Sequence, residues 1–553
     1  MKHYEKTPDI IIRNGRIVDG TGRPAYRADL AIVGNKIDFI GSLPDTKAAM
    51  EIDAEGKYVT PGFIDVHTHS DYTIWGNPEC QSSVRQGVTT EIVGNCGLTG
   101  RTRMNGVPFD PAGDGIDCIY NLPGPTYPYG AVAATLDKME KTGASMNTAW
   151  LFGHNDLRMM AECYTTDYTE EQFAVMERFL REAMEAGFIG FSTGLESIPG
   201  NLCRPEEVER LVAIVAEYGA MYTSHMRDEG PHILDSVEEF LNVIRKTGVR
   251  GMISHLNVKY DNGTPDGYLE QSIQKLRDAR EQEHLDVYTD MLPLCFATGM
   301  AFAILPPWLY EEGWDTARER LADPVWREKV KGDCDRYFRF LAAGQWDRLL
   351  YLKPTHAPEI GNRPFMELCR ERGQDPFDVF LDVMQSAPDL VAATAVLAQA
   401  VFFDEQTLID TVIRDPLYFW ESDSRTTVEE GPLARNNQNI QNYMSMTYFL
   451  VRYVRELGVI SIEDAVKKLG SLPADHFGLA GRGRLEVGCF ADVNVFDLNA
   501  LQIHATLEQV NHYCTGMDYV IVNGTPVIAK GEHTLARSGR VLRHTPTRKG
   551  STV

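Results

Sequence analysis

Eight short apolar segments between residues 63 and 420 constrain the fold most, because amphipathic stretches separate several of them. The stretches 170–186, 205–218 and 233–247 carry apolar residues at helical spacing. Strands that alternate with helices are typical of a parallel α/β architecture, and eight of them favour a (β/α)₈ barrel with its active site on the loops after the strands. The predicted strands are 63–66, 90–93, 148–152, 188–192, 220–224, 251–254, 285–289 and 417–420.

The two ends of the chain have a different texture, with short strand-like runs and turn signals such as Asn14-Gly15. Because a two-stranded piece is marginal alone, we expect both ends to form one small β-sandwich domain. The segment 290–416 is too long for a simple loop, so we expect an insertion that covers the barrel mouth as a lid. The predicted domains are 1–60 plus 480–535 for the sandwich, 61–479 for the catalytic barrel with its insertion, and 536–553 for a C-terminal tail.

The composition is that of a soluble globular protein, with 43% hydrophobic and 24% charged residues. A formal net charge of -24 repels nucleic acid phosphates and anionic lipid surfaces, so neither is an expected partner. The ten cysteines show no CxxC pairing, and the apolar run 9–13 is too short for a signal peptide or a membrane span. We therefore expect a cytoplasmic protein, and the sequence leaves open whether it forms a homo-oligomer.

His67-Thr68-His69 follows the first predicted barrel strand. Residues at i and i+2 of a strand point to the same side, so both imidazoles can face one metal ion. An isolated pair of this kind is equally compatible with exposed loop histidines. The position at the C-terminal end of a barrel strand, where barrel enzymes place their chemistry, favours metal binding.

Four further residues follow predicted strands in the same way: Cys96, His225, His255 and Asp423. Taken alone, each has an ordinary structural role, as a buried thiol, a packed imidazole or a helix cap. Together at one barrel mouth they indicate a zinc site, because zinc accepts mixed nitrogen and sulfur ligands and magnesium does not. Asp423 is the candidate to take a proton from an activated water at the metal and pass it to a leaving group.

Several motifs resemble the amidohydrolase superfamily, and within it the D-aminoacylase (N-acyl-D-amino-acid deacylase) family. They are PGFIDVHTHSD (61–71), VRQGVTTEIVGNCG (84–97), FSTGLE (191–196), SHMRDEG (224–230), ISHLNV (253–258) and the C-terminal segment 471–497.

This resemblance implies a hydrolase of a linear amide, such as an N-acyl amino acid, with a small-molecule substrate. It also implies a tight zinc site at Cys96, His225 and His255, a second and weaker metal position at His67 and His69, and Asp423 at the metal as general acid/base. Many other amidohydrolases bridge two metals with a carboxylated lysine on the fourth strand. Residues 188–196 contain no lysine, so Cys96 would take the bridging place.

The sequence departs from the family in the expected substrate pocket. Asn257 stands where relatives that bind an amino-acid carboxylate have a lysine, and Tyr288 and Asp290 stand in an altered segment after the seventh strand. Arg435 is the nearest basic counterpart of a third family segment, and Arg227 is an alternative anion-binding group. A missing lysine and an added aspartate make a pocket less favourable to a carboxylate, so we hypothesise that the substrate is not a simple N-acyl-D-amino acid.

Two other functions remain open. A cyclic amidase of the hydantoinase or dihydroorotase kind is the first, and the missing fourth-strand lysine weighs against it. A barrel scaffold without catalysis is the second, and the intact set of six ligand and acid/base residues weighs against that. A ring-opening assay tests the first alternative, and zinc well below one equivalent per chain would favour the second.

Overall fold

The computed structural model describes most of the chain, including every predicted site residue except Arg435, which lies outside the described residues. The described residues are 6–99, 103–104, 107–108, 131–197, 199–258, 264–310, 312–333, 341, 343–361, 363–389, 392–393, 396–402, 404–431, 433–434 and 439–546.

Eight parallel strands form the central barrel, and their order in the sheet follows the order in the chain. A parallel bridge between Thr68 and Ser424 connects the first strand to the segment after the eighth and so brings the ends of the sheet together. The predicted (β/α)₈ barrel is therefore confirmed. The strands are Phe63–Thr68, Val88–Val93, Asn147–Gly153, Gly190–Gly194, Met221–His225, Arg250–Ile253, Val287–Met291 and Tyr418–Trp420.

Helices pack around the barrel where the sequence combines helical periodicity with clear end signals. In Glu170–Ala186, Thr169 and Gln172 form a reciprocal capping box, and Gly187 ends the helix with a φ of 97° that favours glycine. The helices around the barrel are Gln81–Val84, Ala131–Thr142, His154–Met160, Glu170–Ala186, Pro205–Glu217, Ile233–Thr247, Tyr268–Glu281, Gln441–Tyr448, Ile462–Leu469 and Ser471–Phe477, with π-helical turns at Ile409–Ile413 and Phe449–Glu456 and a 3₁₀ turn at Gly200–Leu202.

The barrel interior is an apolar core that lies below the strand ends. Val66, Ile92 and Met252 contribute to it, and Phe477 and Leu479 from the C-terminal half of the chain complete it. This packing leaves the C-terminal ends of the strands as the place for polar side chains.

Nine strands from both ends of the chain form one mixed sheet. Val493–Phe496 pairs antiparallel with Tyr58–Pro61, so the last part of the chain adds directly to the strand that leads into the barrel. The strands are Ile10–Ile17, Tyr26–Val33, Lys36–Gly41, Met50–Asp53, Tyr58–Pro61, Val493–Phe496, Met517–Val522, Thr525–Ala529 and Glu532–His533.

The long connection between the seventh and eighth barrel strands has its own structure and its own apolar core. Three antiparallel strands, Phe296–Met300, Leu397–Val401 and Leu349–Lys353, form its sheet. Among the described residues, the connection also contains the helices Trp314–Ala322, Pro324–Lys331, Pro358–Gly361, Phe365–Arg372, Pro376–Gln385 and Glu405–Leu408, and 3₁₀ turns at Ala301–Ile304, Pro307–Leu309 and Trp346–Arg348. A short hairpin, Arg103–Met104 with Val107–Pro108, lies earlier in the chain.

The described part of the C-terminal tail lies along the third barrel strand. Val541 forms a parallel bridge with Thr148, and Leu542 packs against the barrel interior. Ion pairs from Arg537 to Glu79 and from Arg540 to Glu140 hold the same segment. No helix among the described residues is long and apolar enough to cross a membrane.

Candidate active site

The six predicted metal and acid/base residues meet at the C-terminal ends of the barrel strands. Cys96, in the turn after the second strand, lies at their centre, with its Sγ 3.2 Å from His67 Nε2 and 3.5 Å from His255 Nε2. The rings of His225 and His255 are 4.5 Å apart between centroids and nearly perpendicular, at 78°. The structure therefore brings these side chains together at one mouth, and their role as metal ligands stays a prediction.

Asp423 reaches the same group from the segment after the eighth strand. Its Oδ1 lies 3.3 Å from His69 Nε2 and 3.7 Å from His67 Nε2. Two backbone hydrogen bonds hold the segment against the first strand, because Asp423 donates its N–H to His67 and His69 donates its N–H to Ser424, at 3.1 and 2.7 Å. The carboxylate and the His67–His69 pair therefore form one rigid unit.

Two glutamates that sequence reasoning missed contact the histidines. Glu196 Oε2 lies 3.0 Å from His225 Nε2, and Glu229 Oε1 lies 2.9 Å from His255 Nδ1. Each glutamate follows a barrel strand, the fourth and the fifth, and so has the same position in the pattern as the predicted ligands. A search for every acidic residue after a predicted strand would have found them.

The backbone is strained at three of the six residues. Cys96, His255 and Asp423 have φ angles of 52°, 36° and 46°, in the left-handed region that side chains other than glycine rarely adopt. Such residues cluster at functional sites, where the surrounding structure holds them in place. At the neighbouring Gly97, an added Cβ would lie 2.5 Å from the backbone nitrogen of Gly194, so this turn requires glycine.

The electrostatics favour a thiolate among the histidines. Burial opposes ionisation of the Cys96 thiol, but His67, His225 and His255 outweigh it and lower the pKa well below the usual range. Burial also opposes the charged form of His67 and so lowers its pKa, but Cys96 and the nearby Asp290 outweigh this effect and raise the pKa well above its usual value. A thiolate is the form of cysteine that binds metals, so the charge pattern matches a metal ligand set.

Asp290 and Asn257 lie beside the ligands. Asp290 is fully buried, with Oδ2 3.3 Å from His67 Nδ1, and its other oxygen accepts a hydrogen bond from the backbone N–H of His255. Asn257 is also buried and donates from Nδ2 to the His255 carbonyl at 2.7 Å. Asp290 therefore contacts two of the predicted ligands, and its role in substrate binding stays a prediction.

Tyr288 lies away from the other predicted site residues. Its ring stacks on Phe419 at 4.7 Å between centroids and contacts His476, and its hydroxyl accepts a hydrogen bond from Arg280 at 2.9 Å. These partners place it in the barrel interior, close to the helix that precedes its strand. A direct contact of Tyr288 with the substrate stays a prediction.

Arg227 forms an ion pair with Glu239. It donates from Nε and Nη2 to the carboxylate of Glu239, at 2.9 and 2.8 Å. This two-point ion pair fixes the guanidinium against the helix Ile233–Thr247. Arg227 therefore has an acidic partner on this chain, and its role in anion binding stays a prediction.

The donor set fits a metal ion. Among the described residues, four groups of histidine, cysteine and acidic side chains each place their ligand atoms within 4.8 Å of one another. Three of the groups belong to this mouth, and in the fourth a glutamate is ion-paired with Arg158. The three groups are His67–Cys96–His255, His67–His69–Asp423 and His225–Glu229–His255. Imidazole nitrogens with a thiolate sulfur are the donors that zinc prefers.

A (β/α)₈ barrel with these donors at its mouth defines a metal-dependent hydrolase of the amidohydrolase class. The model of the Amidohydrolase family matches residues 50–216 and 426–528. D-aminoacylase from Alcaligenes xylosoxydans xylosoxydans is 31% identical over 540 residues, which are 97% of this chain and 98% of the relative. The chain therefore belongs to the D-aminoacylase family of the amidohydrolases, as its motifs predict.

Solved structures agree over nearly the whole chain. N-acyl-D-glutamate deacylase from Bordetella bronchiseptica, in complex with zinc and a phosphonate mimic of the tetrahedral intermediate, is 27% identical with a TM-score of 0.76, covering 97% of this chain and 100% of that one. A D-aminoacylase with a binuclear metal centre is 26% identical with a TM-score of 0.75, covering 97% and 99%. The protein is thus an amidohydrolase with a metal cofactor.

Proposed function

We propose that this protein hydrolyses a linear amide, an N-acyl-D-amino acid or a related compound, with zinc as cofactor and Asp423 as general acid/base. The observation that carries the proposal is the convergence of six metal-binding and proton-carrying side chains from five strand ends on one barrel mouth. The relatives that share this architecture are deacylases.

Cys96, His225 and His255 are the residues that would hold the tighter zinc. His67 and His69, next to Asp423, would form the second and weaker position, with Cys96 shared between the two. A zinc ion held there would supply Lewis-acid chemistry, lowering the pKa of a water molecule and polarising the amide carbonyl.

Asp423 is the best placed proton carrier among the carboxylates that contact the histidines. Its side chain is 23% exposed, against 0% for Asp290, 2% for Glu229 and 14% for Glu196. Burial raises its pKa, but His69 and His67 outweigh this effect and lower it, so the carboxylate is ionised at neutral pH and can accept a proton. In the reaction, water adds to the carbonyl carbon, Asp423 takes its proton, and the proton passes to the amine nitrogen as the C–N bond breaks.

The position of Asp290 changes the argument about the substrate. Its charge faces His67 and the backbone of His255, so it does not stand against a substrate carboxylate in the pocket. Asn257 still replaces a lysine, and it remains the one departure among the described residues that disfavours an anionic amino acid. N-acyl-D-amino acids are therefore the first substrates to test, with neutral amides beside them.

Metal content and a substrate panel test the proposal. Purified protein should contain about one or two zinc ions per chain. It should hydrolyse an N-acetyl-D-amino acid or a neutral linear amide faster than the L-isomer or a cyclic amide. Asp423→Asn should keep the metal and lose the activity. Hydrolysis of a hydantoin ring alone, or activity that survives Asp423→Asn, would reject the proposed function.

A further inference from the structure

Gln441 is a fully buried amide that bridges the insertion between the seventh and eighth barrel strands and the end of the eighth strand. Its Nε2 donates a hydrogen bond to the Ser422 carbonyl at 3.1 Å, and its Oε1 accepts one from the backbone N–H of Thr298 at 2.9 Å. A side-chain amide carries a donor and an acceptor together, so one side chain satisfies a carbonyl and an N–H at once. The two contacts therefore fix the orientation of the amide.

The Ser422 carbonyl belongs to the peptide unit that leads into Asp423. The N–H of the same unit donates to the His67 carbonyl at 3.1 Å. Because a peptide unit is planar, hydrogen bonds at its carbonyl and at its N–H together hold the whole plane. That plane defines one side of the φ angle of Asp423, which is strained at 46°. Gln441 therefore helps to hold the backbone from which the Asp423 carboxylate projects.

Thr298 attaches the insertion to this arrangement. It lies in Phe296–Met300, an outer strand of the three-stranded sheet that the described residues of the insertion form. An outer strand presents N–H groups that need an acceptor outside the sheet, and Gln441 supplies one at Thr298. The Thr298 hydroxyl also donates to Asn439 Oδ1 at 2.9 Å, and the same oxygen accepts the backbone N–H of Gln441 at 3.0 Å. Two hydrogen-bonded routes thus connect one strand of the insertion to Gln441.

We infer that Gln441 is a positioning residue that couples the insertion to Asp423: docking of the strand Phe296–Met300 holds the peptide plane before Asp423 and so the direction of its carboxylate. The inference rests on the proposed role of Asp423 as proton carrier. A shift of about 1 Å in the position of a reacting group can lower a rate by about 10²-fold. The expected signature is a fall in kcat with little change in KM, because proton transfer suffers and substrate binding does not.

Gln441→Met tests the coupling, because Met retains the length of the side chain and removes both hydrogen bonds. Gln86→Met is the matched control. Gln86 is a buried amide against the same helix, Gln441–Tyr448, where it accepts the N–H of Met446 at 3.0 Å and donates to the Asn442 carbonyl at 3.2 Å. Both substitutions remove a bridging amide from one helix, and the first also breaks the path from the insertion to the eighth strand.

Steady-state kinetics on an amide that wild type hydrolyses, at equal zinc content, give the first measurement. We expect Gln441→Met to lower kcat by about 10–100-fold with KM within about twofold, and Gln86→Met to keep kcat within about twofold of wild type. Wild-type kcat in Gln441→Met, a rise in KM alone, or an equal fall in kcat in both variants would overturn the inference.

Hydrogen–deuterium exchange without substrate gives the second measurement, with all proteins at the same metal content. In Gln441→Met the amides of 421–427 and of 296–300 should exchange faster than in wild type, because both ends of the bridge lose a partner. Gln86→Met should leave both segments at the wild-type rate. Unchanged protection of 421–427 in Gln441→Met would overturn the inference. If wild type hydrolyses no tested amide, the proposed reaction fails, and the exchange of the two segments still decides the coupling.

Thr298→Pro breaks the bridge from the insertion side. Proline has no N–H to donate, and an outer strand tolerates it where the N–H points away from the sheet. Exchange in 421–427 should rise as it does in Gln441→Met, although the substitution lies in another part of the fold. Wild-type exchange in 421–427 would show that the insertion does not hold this segment and would overturn the coupling. If one of the two variants does not fold, the other decides.

Discussion

The buried ion pair between Glu207 and Arg158 is expected to stabilise the barrel, and substitution of Glu207 tests this. Glu207, on the helix Pro205–Glu217, places its carboxylate oxygens 2.6 Å from Arg158 Nη1 and 2.7 Å from His154 Nε2. All three side chains are fully buried, and Arg158 and His154 belong to the helix that follows the third barrel strand. Glu207→Gln retains the side-chain volume and removes the charge, so it isolates the electrostatic contribution.

The expected cost follows from leaving the Arg158 cation without its counter-ion in a medium of low polarity. Removal of one partner of a buried pair lowers the free energy of unfolding by about 3–5 kcal/mol. Because Gln retains an oxygen that accepts a hydrogen bond from Arg158, we expect a loss of about 3 kcal/mol. Unfolding entropy of roughly 2.1 cal/mol/K per residue gives about 1.2 kcal/mol/K for a chain of this length, so Tm should fall by about 2–3 °C.

Glu238→Gln is the matched control at the protein surface. Glu238 pairs with Arg245 at 2.6 Å and with Lys275 at 2.9 Å, but all three side chains are partly exposed. Such pairs contribute less than about 1 kcal/mol, so Tm should shift by less than about 1 °C. Differential scanning calorimetry of both variants, loaded with the same metal, gives the comparison. Equal shifts in the two variants would refute the reasoning from burial.

Three further outcomes follow from the site and the core. Asp423→Asn should lower kcat/KM by roughly 10²–10⁴-fold with wild-type zinc content, and zinc lost in step with activity would assign Asp423 to metal binding instead. Cys96→Ala should release zinc from both positions, so a zinc content equal to that of wild type would contradict the shared ligand. Burial lowers the pKa of Lys468 to about 7 from 10.5, so the unfolded chain binds more protons between these values and stability rises with pH. The Lys468→Met variant has no group that titrates at this position. Urea unfolding should therefore show that the free energy of unfolding of wild type, relative to that of the variant, rises by about 3 kcal/mol from pH 7 to 9.5. A constant difference between the two proteins would exclude the lowered pKa.

The barrel and the centre of the site could be predicted because both depend on local pattern. Short apolar runs mark the strands, and parallel topology brings all their C-terminal ends to one mouth. A polar residue directly after a run, such as Cys96 or His225, is then placed without knowledge of any long-range contact. Small errors in the strand boundaries do not change this placement. The fourth strand, predicted at 188–192, lies at Gly190–Gly194 and still ends before Glu196.

The depth of a side chain along its strand could not be predicted in this way. Tyr288 and Asp290 are two residues apart on one strand and share a face, but they are separated by about 6.6 Å along it. That distance takes Tyr288 into the interior core with Phe419 and brings Asp290 to His67. Sequence assigned both to the substrate pocket because it gives the face of a strand residue and not its height in the barrel.

The three strained residues suggest why the site needs support beyond its ligands. A positive φ at Cys96, His255 and Asp423 costs of order 1–3 kcal/mol each. The strained residues are the ones whose side chains meet at the site. Backbone hydrogen bonds oppose this cost, because His255 donates to the Asp290 carboxylate and Asp423 donates to the His67 carbonyl. Asp290 is thus part of the frame that holds His255 in its strained conformation while it contacts the His67 ring. Its buried carboxylate contacts the backbone of His255 and the ring of His67, so it would support both of the proposed metal positions.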